Sequence, residues 1–246
     1  MTQSNPIKAS PEIEALAQER LAAEEARITG ASRRTTVSLG TTGREFWKHP
    51  SPYMIAATIV VALVWRIAEG DWRVSDLWAP VIWVAMFPVL EWVIHVFILH
   101  WKPRKVVGVK IDSELARDHR RHHADPRDIP LVFIPWRSLV LVVAGDFAIA
   151  LLAFPRLGQG LTFLFVVGVT GLAYEWSHYL IHSDYKPRTK VYKAVWRNHR
   201  LHHYKNEHYW FTVTSTATAD RLFGTYPDPG EVKASATAKN LHGIDA

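Results

Sequence analysis

The chain has 246 residues, a formal net charge of +6 and no cysteine, and 48% of its residues are hydrophobic. Its length suits one domain, and the lack of cysteine excludes a disulfide framework, a thiolate zinc site, an iron–sulfur cluster and a cysteine-ligated haem. The mean hydropathy of -0.04 conceals a strongly apolar middle between two polar ends.

The first segment, residues 1–48, is polar and carries mixed charge. Ser10-Pro11-Glu12 predicts a helix start, with serine as the N-cap and proline at the first helical position. We expect this helix to be solvated rather than to bind a membrane surface or a partner, because the face opposite its thin apolar stripe is rich in glutamate. Residues 30–43, rich in serine, threonine and glycine, predict a linker.

The body, residues 49–229, contains four apolar segments at roughly 53–68, 77–99, 131–154 and 160–181. The last three are long enough to cross the roughly 30 Å of bilayer hydrocarbon, and the first is marginal. A soluble helical bundle would leave too little polar surface for a chain of this size. The small, polar residues 230–246 predict a disordered tail.

The basic residues indicate how these segments are oriented. Lysine and arginine number seven in residues 1–48, eight in residues 100–130 and ten after His182, which together are 25 of the 29. The opposite loops hold only Arg66, Arg73 and Arg156. This bias predicts four spans with both termini in the cytoplasm. It also accounts for the net charge without a nucleic-acid partner.

Ten of the thirteen histidines form four clusters, all on the predicted cytoplasmic side. They are His95 and His100; His119, His122 and His123; His178 and His182; and His199, His202 and His203. The i, i+3 and i+4 spacings place each set on one helix face. His95 and His100 are separated by five residues, so we expect the helix to fray or widen between them.

The two halves of the body resemble each other. Glu91-Trp92 before His95 parallels Glu175-Trp176 before His178, and an H-x2-H-H set follows each. Ten imidazoles are enough for two metal ions with four or five ligands each, and the facing halves predict a dinuclear site at the membrane face. Imidazole suits iron, zinc, copper and nickel alike. A bis-histidine haem protein and a membrane metal-binding or metal-transport protein without catalysis remain alternatives.

The combination H-x4-H, H-x2-H-H, H-x3-H and H-x2-H-H on paired spans resembles the fatty acid hydroxylase/sterol desaturase superfamily of integral membrane di-iron oxygenases. The stretches 202–206 (HHYKN) and 220–226 (DRLFGTY) are most similar to its fatty acid hydroxylase branch. A departure is Trp210-Phe211-Thr212, where many members carry a Gly-Phe-Gly-like stretch.

The resemblance implies an all-α integral membrane protein with four transmembrane helices and a cytoplasmic, helical, histidine-rich cap. It implies two irons bound by the ten clustered histidines (zinc can replace iron in a purified form), and hydroxylation of a lipid acyl chain with O2. Sterol or carotenoid hydroxylation or desaturation is the alternative within the superfamily. The electron donor would be external, a ferredoxin or a cytochrome b5-type protein, on a basic face that also suits membrane lipids.

Six further residues are candidates for support of this site. Glu91, Glu175, Asp118 and Asn198 are placed to orient the histidine rings. Asp146 lies in the middle of the third span, where it either lines the substrate cavity or makes a local hydrogen bond. His208 is an additional candidate near the last cluster, either at the surface or beside the ligands.

Overall fold

A computed structural model describes residues 37–243 of the chain, so the helix predicted from Ser10 lies outside the described residues. The elements run in the order α1 (Leu39–Phe46), α2 (Pro50–Glu69), α3 (Trp78–Ile94), β1 (Arg104–Val106), β2 (Val109–Ile111), α4 (Glu114–Ala124), α5 (Trp136–Leu152), α6 (Leu157–His182), α7 (Lys190–Tyr204) and α8 (Thr218–Leu222). Strands β1 and β2 form an antiparallel hairpin, with Lys105 opposite Lys110. Helices therefore dominate the described chain.

The prediction of four spans is confirmed. Pro50–Glu69, Val74–Leu99, Ile129–Leu152 and Leu157–His182 are each long and apolar enough to cross a bilayer. Large aliphatic side chains on these helices point outward; Leu152 is 83% exposed and Leu141 is 75% exposed. An apolar exterior around a helical bundle is what a lipid environment requires.

Small residues allow the spans to approach closely. A Cβ atom added to Gly160 in α6 would lie 1.8 Å from the carbonyl oxygen of Ala150 in α5. One added to Gly168 would lie 2.7 Å from the side chain of Ile59 in α2. Helix association inside a bilayer depends on such close packing, because lipid offers no hydrophobic driving force.

Ion pairs join the spans at the end opposite the histidines. The guanidinium of Arg66, at the end of α2, lies 2.8 Å from Asp76, and both side chains are buried. Arg156, just before α6, lies 2.5 Å from Asp76 and 2.7 Å from Asp71. These contacts fix three chain segments relative to one another at this end of the bundle.

The polar segment joins the body earlier than the sequence suggested. Residues 30–43 were expected to form a linker, yet α1 begins at Leu39, with the Ser38 hydroxyl accepting a hydrogen bond from the Thr41 amide. Phe46, at the end of α1, is buried against Phe133 and Tyr179. This aromatic contact anchors α1 to the body, so the structured part begins before residue 49.

The tail also differs from expectation over its described part. Residues 230–243 were predicted to be disordered, but they form a series of turns in which Ala238 and Leu241 are buried. The amide of Ser235 donates to the carbonyl of Lys205, which ties the tail to the end of α7. These buried side chains and backbone hydrogen bonds, together with the bond from the Ser235 hydroxyl to Glu207, hold the described tail against the body.

Candidate metal centre

Four elements carry the ten histidines to one end of the bundle. His95 and His100 end the second span, and α4 supplies His119, His122 and His123. We call α4 and α7 the cap helices, and a side-chain oxygen forms the N-cap of each. The Ser113 hydroxyl accepts from the Ala116 amide at the start of α4, and the Thr189 hydroxyl accepts from the Tyr192 amide at the start of α7. The remaining ligand candidates are His178 and His182 on α6 and His199, His202 and His203 on α7.

A local π-helix resolves the awkward spacing of His95 and His100. Residues His95–Leu99 form a single π turn, in which the amide of His100 donates to the carbonyl of His95 at 3.0 Å. This i to i+5 bond brings the two ring centroids to 5.0 Å. The expected widening is confirmed, and such π-bulges are frequent at functional sites.

The ten rings gather into two groups of five. In each group one ligand atom per ring lies within 4.8 Å of all the others. The first group is His95, His100, His119, His123 and His202, and the second is His122, His178, His182, His199 and His203. Each group therefore contains four histidines from one half of the body and one from the other. His202 of the second half joins the group around His95, and His122 of the first half joins the group around His178.

Backbone carbonyls orient four of these rings. The Nδ1–H groups of His95, His123, His178 and His202 donate to the carbonyls of Phe211, Ala238, Val132 and Tyr209, at 2.6 to 3.0 Å. A carbonyl oxygen only accepts, so in a neutral ring the proton sits on Nδ1 and Nε2 presents a lone pair. The tautomer of each ring is thus assigned by its hydrogen bond.

This tautomer assignment leaves lone pairs facing each other. Nε2 of His123 lies 3.2 Å from Nε2 of His202, and neither can donate a hydrogen bond to the other. Two such lone pairs repel each other unless a cation lies beside both. The donor set therefore fits a metal ion better than it fits a hydrogen-bonded core.

Electrostatics favour the neutral, metal-binding form of the rings. Among the histidines outside the spans, burial lowers the pKa of His119, His122 and His203 well below 6.5, and neighbouring imidazoles lower it further. The same causes lower the pKa of His100 and His199. A ring that resists protonation keeps its lone pair for a metal.

The two glutamates predicted to orient histidines act through loops instead. Glu91 accepts hydrogen bonds from the amides of Val213 and Thr214, at 2.5 and 3.1 Å, and this loop also contains Phe211, whose carbonyl orients His95. Glu175 accepts from the amide of Ile134 at 3.1 Å, two residues after the carbonyl that orients His178. In both halves, the carboxylate holds a backbone segment, and a carbonyl of that segment accepts the hydrogen bond of the histidine ring.

Asp220, which was not among the predicted site residues, has a similar role. Its buried carboxylate accepts from the amides of Phe211 and Thr212 and from the Thr212 hydroxyl, at 2.6 to 3.0 Å. Its signal in the sequence is its position in the 220–226 stretch (DRLFGTY), next in the chain after the last histidine cluster and the loop that follows it.

The other candidates have different surroundings. Asp118 pairs with Arg121 at 3.4 Å, and the described chain gives it no histidine partner. Asn198 is buried on α7, and its Nδ2 has no hydrogen-bond partner within the described residues. The side chain of His208 is 69% exposed beside Glu207, and it joins neither five-histidine group.

An apolar cavity of about 230 Å³ lies between α2, α3, α5 and α6. At the metal end its wall includes Ile94 and Leu99, which are next to His95 and His100 in the chain. Deeper in the bundle the wall includes Trp83, Val167 and Asp146, so Asp146 lines a cavity. A long apolar group entering this cavity would pass beside the histidines.

Comparison with known proteins yields matches of three kinds. The family described as fatty acid hydroxylase matches residues 80–225. A dihydroceramide fatty acyl 2-hydroxylase of Arabidopsis thaliana is 28% identical over 146 residues, which are 58% of each chain. The chain therefore aligns with somewhat over half the length of this curated relative. A solved structure of full-length scs7p, in which only the hydroxylase domain is visible, superposes with a TM-score of 0.56 at 22% identity, covering 82% of this chain and 70% of that one.

Proposed function

The chain belongs to the fatty acid hydroxylase family, and from this premise we propose that it hydroxylates the acyl chain of a membrane lipid with O2, using two irons held by the ten clustered histidines. The plant relative's name supports an acyl substrate. The observation that carries the proposal is the position of two five-imidazole groups at the end of an apolar cavity.

The protein's own groups have three tasks in this reaction. The Nε2 atoms of the oriented rings would bind the irons, and iron, when bound, supplies O2 activation and oxidation of an unactivated C–H bond. The carbonyls of Phe211, Val132 and Ala238 hold the ring orientation. The aliphatic wall at Ile94 and Leu99 would exclude water. It would also favour an apolar part of the substrate, and so a C–H bond of its acyl chain, beside the histidines.

The surroundings of the histidines support metal ions over haem. A bis-histidine haem uses two axial imidazoles, whereas each group here gathers five. All ten ligand candidates lie at one end of the bundle, while a transported metal would need ligands near the bilayer midplane. We assign this end to the cytoplasmic face by the positive-inside rule. Of the 29 basic residues, 25 lie in residues 1–48, in residues 100–130 between the second and third spans, or after His182.

We further propose that an external ferredoxin or cytochrome b5-type protein delivers electrons at the basic face around the site. Exposed basic side chains occur on the β1–β2 hairpin and at the start of α7, among them Arg104, Lys105, Lys110 and Lys190. An acidic donor would be steered towards such a surface. Anionic lipid headgroups suit the same charges.

The deciding experiment combines metal analysis with product analysis. Protein purified from cells grown with ample iron should contain close to two irons per chain. Incubation of this protein with acyl lipids, a reductant system and ¹⁸O₂ should yield labelled hydroxylated lipid. Unlabelled lipid together with iron-free protein would refute the proposal, and a Soret band would favour haem. Labelled sterol or carotenoid, or a desaturated product, would move the assignment within the superfamily.

Two variants and a matched control test the ligand assignment. His122→Ala and His202→Ala each remove the histidine that one half lends to the other group, so both should lose iron and product formation. His208→Ala removes an exposed imidazole outside both groups and should retain both. Full iron content in either of the first two variants would contradict the assignment.

A further inference from the structure

Asp146 is a carboxyl group on the wall of the apolar cavity. It lies on α5 with Leu139, Val142 and Val143, which also line the cavity, at the i, i+3, i+4 and i+7 spacing of one helix face. The cavity wall is otherwise almost entirely aliphatic and aromatic. An ionisable side chain in such a place is costly, and in a membrane protein it is a candidate for function.

The three buried carboxyl groups inside the described spans have partners. Asp76 pairs with Arg66, and Glu91 and Glu175 accept hydrogen bonds from backbone amides. By contrast, no residue within the described chain donates a hydrogen bond to Asp146 or forms an ion pair with it. A purely structural carboxylate would have such a partner, because an unpaired polar group in an apolar interior carries its full desolvation cost.

Two nearby polar groups in the cavity wall, on Thr58 and Trp83, are already engaged. The Thr58 hydroxyl donates to the carbonyl of Met54 at 3.0 Å, and the Trp83 indole N–H donates to the Thr170 hydroxyl at 2.8 Å. Asp146 is therefore the carboxyl group on this wall that is left to bind a polar atom of a cavity occupant.

The position of Asp146 sets the distance to the reacting end. It lies ten residues into α5, counted from Trp136, which is about 15 Å at a rise of 1.5 Å per residue. The start of α5 is next to the metal centre, because the carbonyl of Val132 orients His178 and the amide of Ile134 is held by Glu175. Asp146 thus lies on the part of the cavity wall that is far from the histidines.

We propose that the inner end of the cavity binds a hydroxyl group of the substrate through Asp146, so that the preferred lipid already carries a hydroxyl about 15 Å from the oxidised carbon. A hydroxyl both donates and accepts, so it can pair with a carboxyl group in either protonation state. This inference rests on the proposed function and narrows its substrate class.

The test measures binding, so it does not depend on turnover. Purified full-length protein in nanodiscs is titrated with octadecanoic acid and with a positional series of hydroxyoctadecanoic acids, and the dissociation constants are obtained from ligand-induced thermal stabilisation. One hydroxy isomer should bind about 10- to 100-fold more tightly than octadecanoic acid. Asp146→Leu should abolish this preference and leave the binding of octadecanoic acid unchanged or stronger.

Asp146→Asn and Ala148→Leu complete the design. The asparagine amide also donates and accepts, so Asp146→Asn should keep part of the preference. Ala148 is exposed and outside the cavity wall, so Ala148→Leu should keep all of it. Equal binding of all isomers by the wild type, or an unchanged preference in Asp146→Leu, would overturn this inference alone. Failure of every acyl chain to bind would overturn it together with the acyl substrate of the proposed function.

Discussion

The hydroxyl of Thr214 donates a hydrogen bond of 2.5 Å to the carboxylate of Glu91, 123 residues earlier in the chain. This contact joins the second span to the loop whose Phe211 carbonyl orients His95. The Glu91 carboxylate therefore does not contact the His95 ring, but holds the loop that does.

Replacing Glu91 tests this positioning role. Glu91→Leu leaves the amides of Val213 and Thr214 without an acceptor, which costs about 1–3 kcal/mol for each buried group. Metal affinity should fall about 10- to 100-fold, as when other outer partners of metal ligands are lost. Glu91→Gln keeps one acceptor oxygen and should bind metal nearly as the wild type does. Zinc titration of metal-free protein measures both, and equal affinity in the leucine variant would contradict the role.

Removing the tail should weaken metal binding while the spans remain folded. Deleting residues 230–246 removes the Ala238 carbonyl that holds His123 and the His242 ring that contacts the carbonyl of His100. We expect lower iron content with unchanged helical circular dichroism. A chain ending after Gly243 keeps every described tail residue and should retain iron. Normal iron content in the shorter chain would show that the tail has no part in the site.

The buried ion pair of Arg66 and Asp76, at the end opposite the histidines, should contribute far more to the free energy of unfolding than the more exposed pair of Arg156 and Asp71. Asp76→Asn leaves the buried guanidinium of Arg66 without a counter-charge, which should cost about 3–5 kcal/mol of unfolding free energy. Asp71→Asn removes a carboxylate that is 54% exposed, and it should cost less than about 1 kcal/mol. Unfolding in detergent compares the two, and similar losses would contradict this ranking.

Close packing of α5 on α6 predicts a contrast between two glycines. Gly160→Ala would place a methyl group 1.8 Å from the carbonyl oxygen of Ala150, where no flexible side chain can yield. It should lower the unfolding free energy by about 1–3 kcal/mol. A methyl group on Gly145 meets nothing within 4 Å, so Gly145→Ala should be neutral or slightly stabilising. Thermal denaturation of the two variants checks this, and a stable Gly160→Ala protein would refute the close approach.

Metal-free protein should lose stability in mild acid. Burial lowers the pKa of His122, His199 and His203 well below 6.5, so the folded protein leaves these rings neutral. The unfolded chain protonates them near pH 6.5, takes up more protons, and is favoured as the pH falls below that value. Melting temperatures of chelator-treated protein should therefore drop between about pH 7 and pH 5. The exposed His208→Asn variant should show the same profile, and a flat profile in the wild type would contradict the burial argument.

Periodicity made much of the architecture predictable. The four spans followed from apolar runs of bilayer length, and the histidine faces followed from i, i+3 and i+4 spacing. The π turn after His95 was anticipated because five residues do not match an α-helical face. These are local properties, so one stretch of sequence contains all the information they need.

Long-range contacts were not predictable in the same way. The exchange of His122 and His202 between the two groups depends on how the cap helices cross, which no spacing encodes. The loop carbonyls that orient His95 and His123 come from residues more than a hundred positions away, and a backbone carbonyl has no signature in the sequence. The ordered tail was not predicted for the same reason, because its partners lie on α4 and at the residue that follows α7.

The exchange of histidines has a consequence for biosynthesis. The group around His95 is complete only with His202, and His123 in that group is held by the carbonyl of Ala238. During translation the first two spans and α4 therefore emerge without His202, so the first group is incomplete. The second group stays incomplete until α4 brings His122 to the histidines of the second half. A chain truncated before His202 would carry at most four ligand candidates of each group and would complete neither. We therefore expect neither group to bind its metal ion with all five imidazoles until His202 and His203 have been synthesised and have packed beside α4.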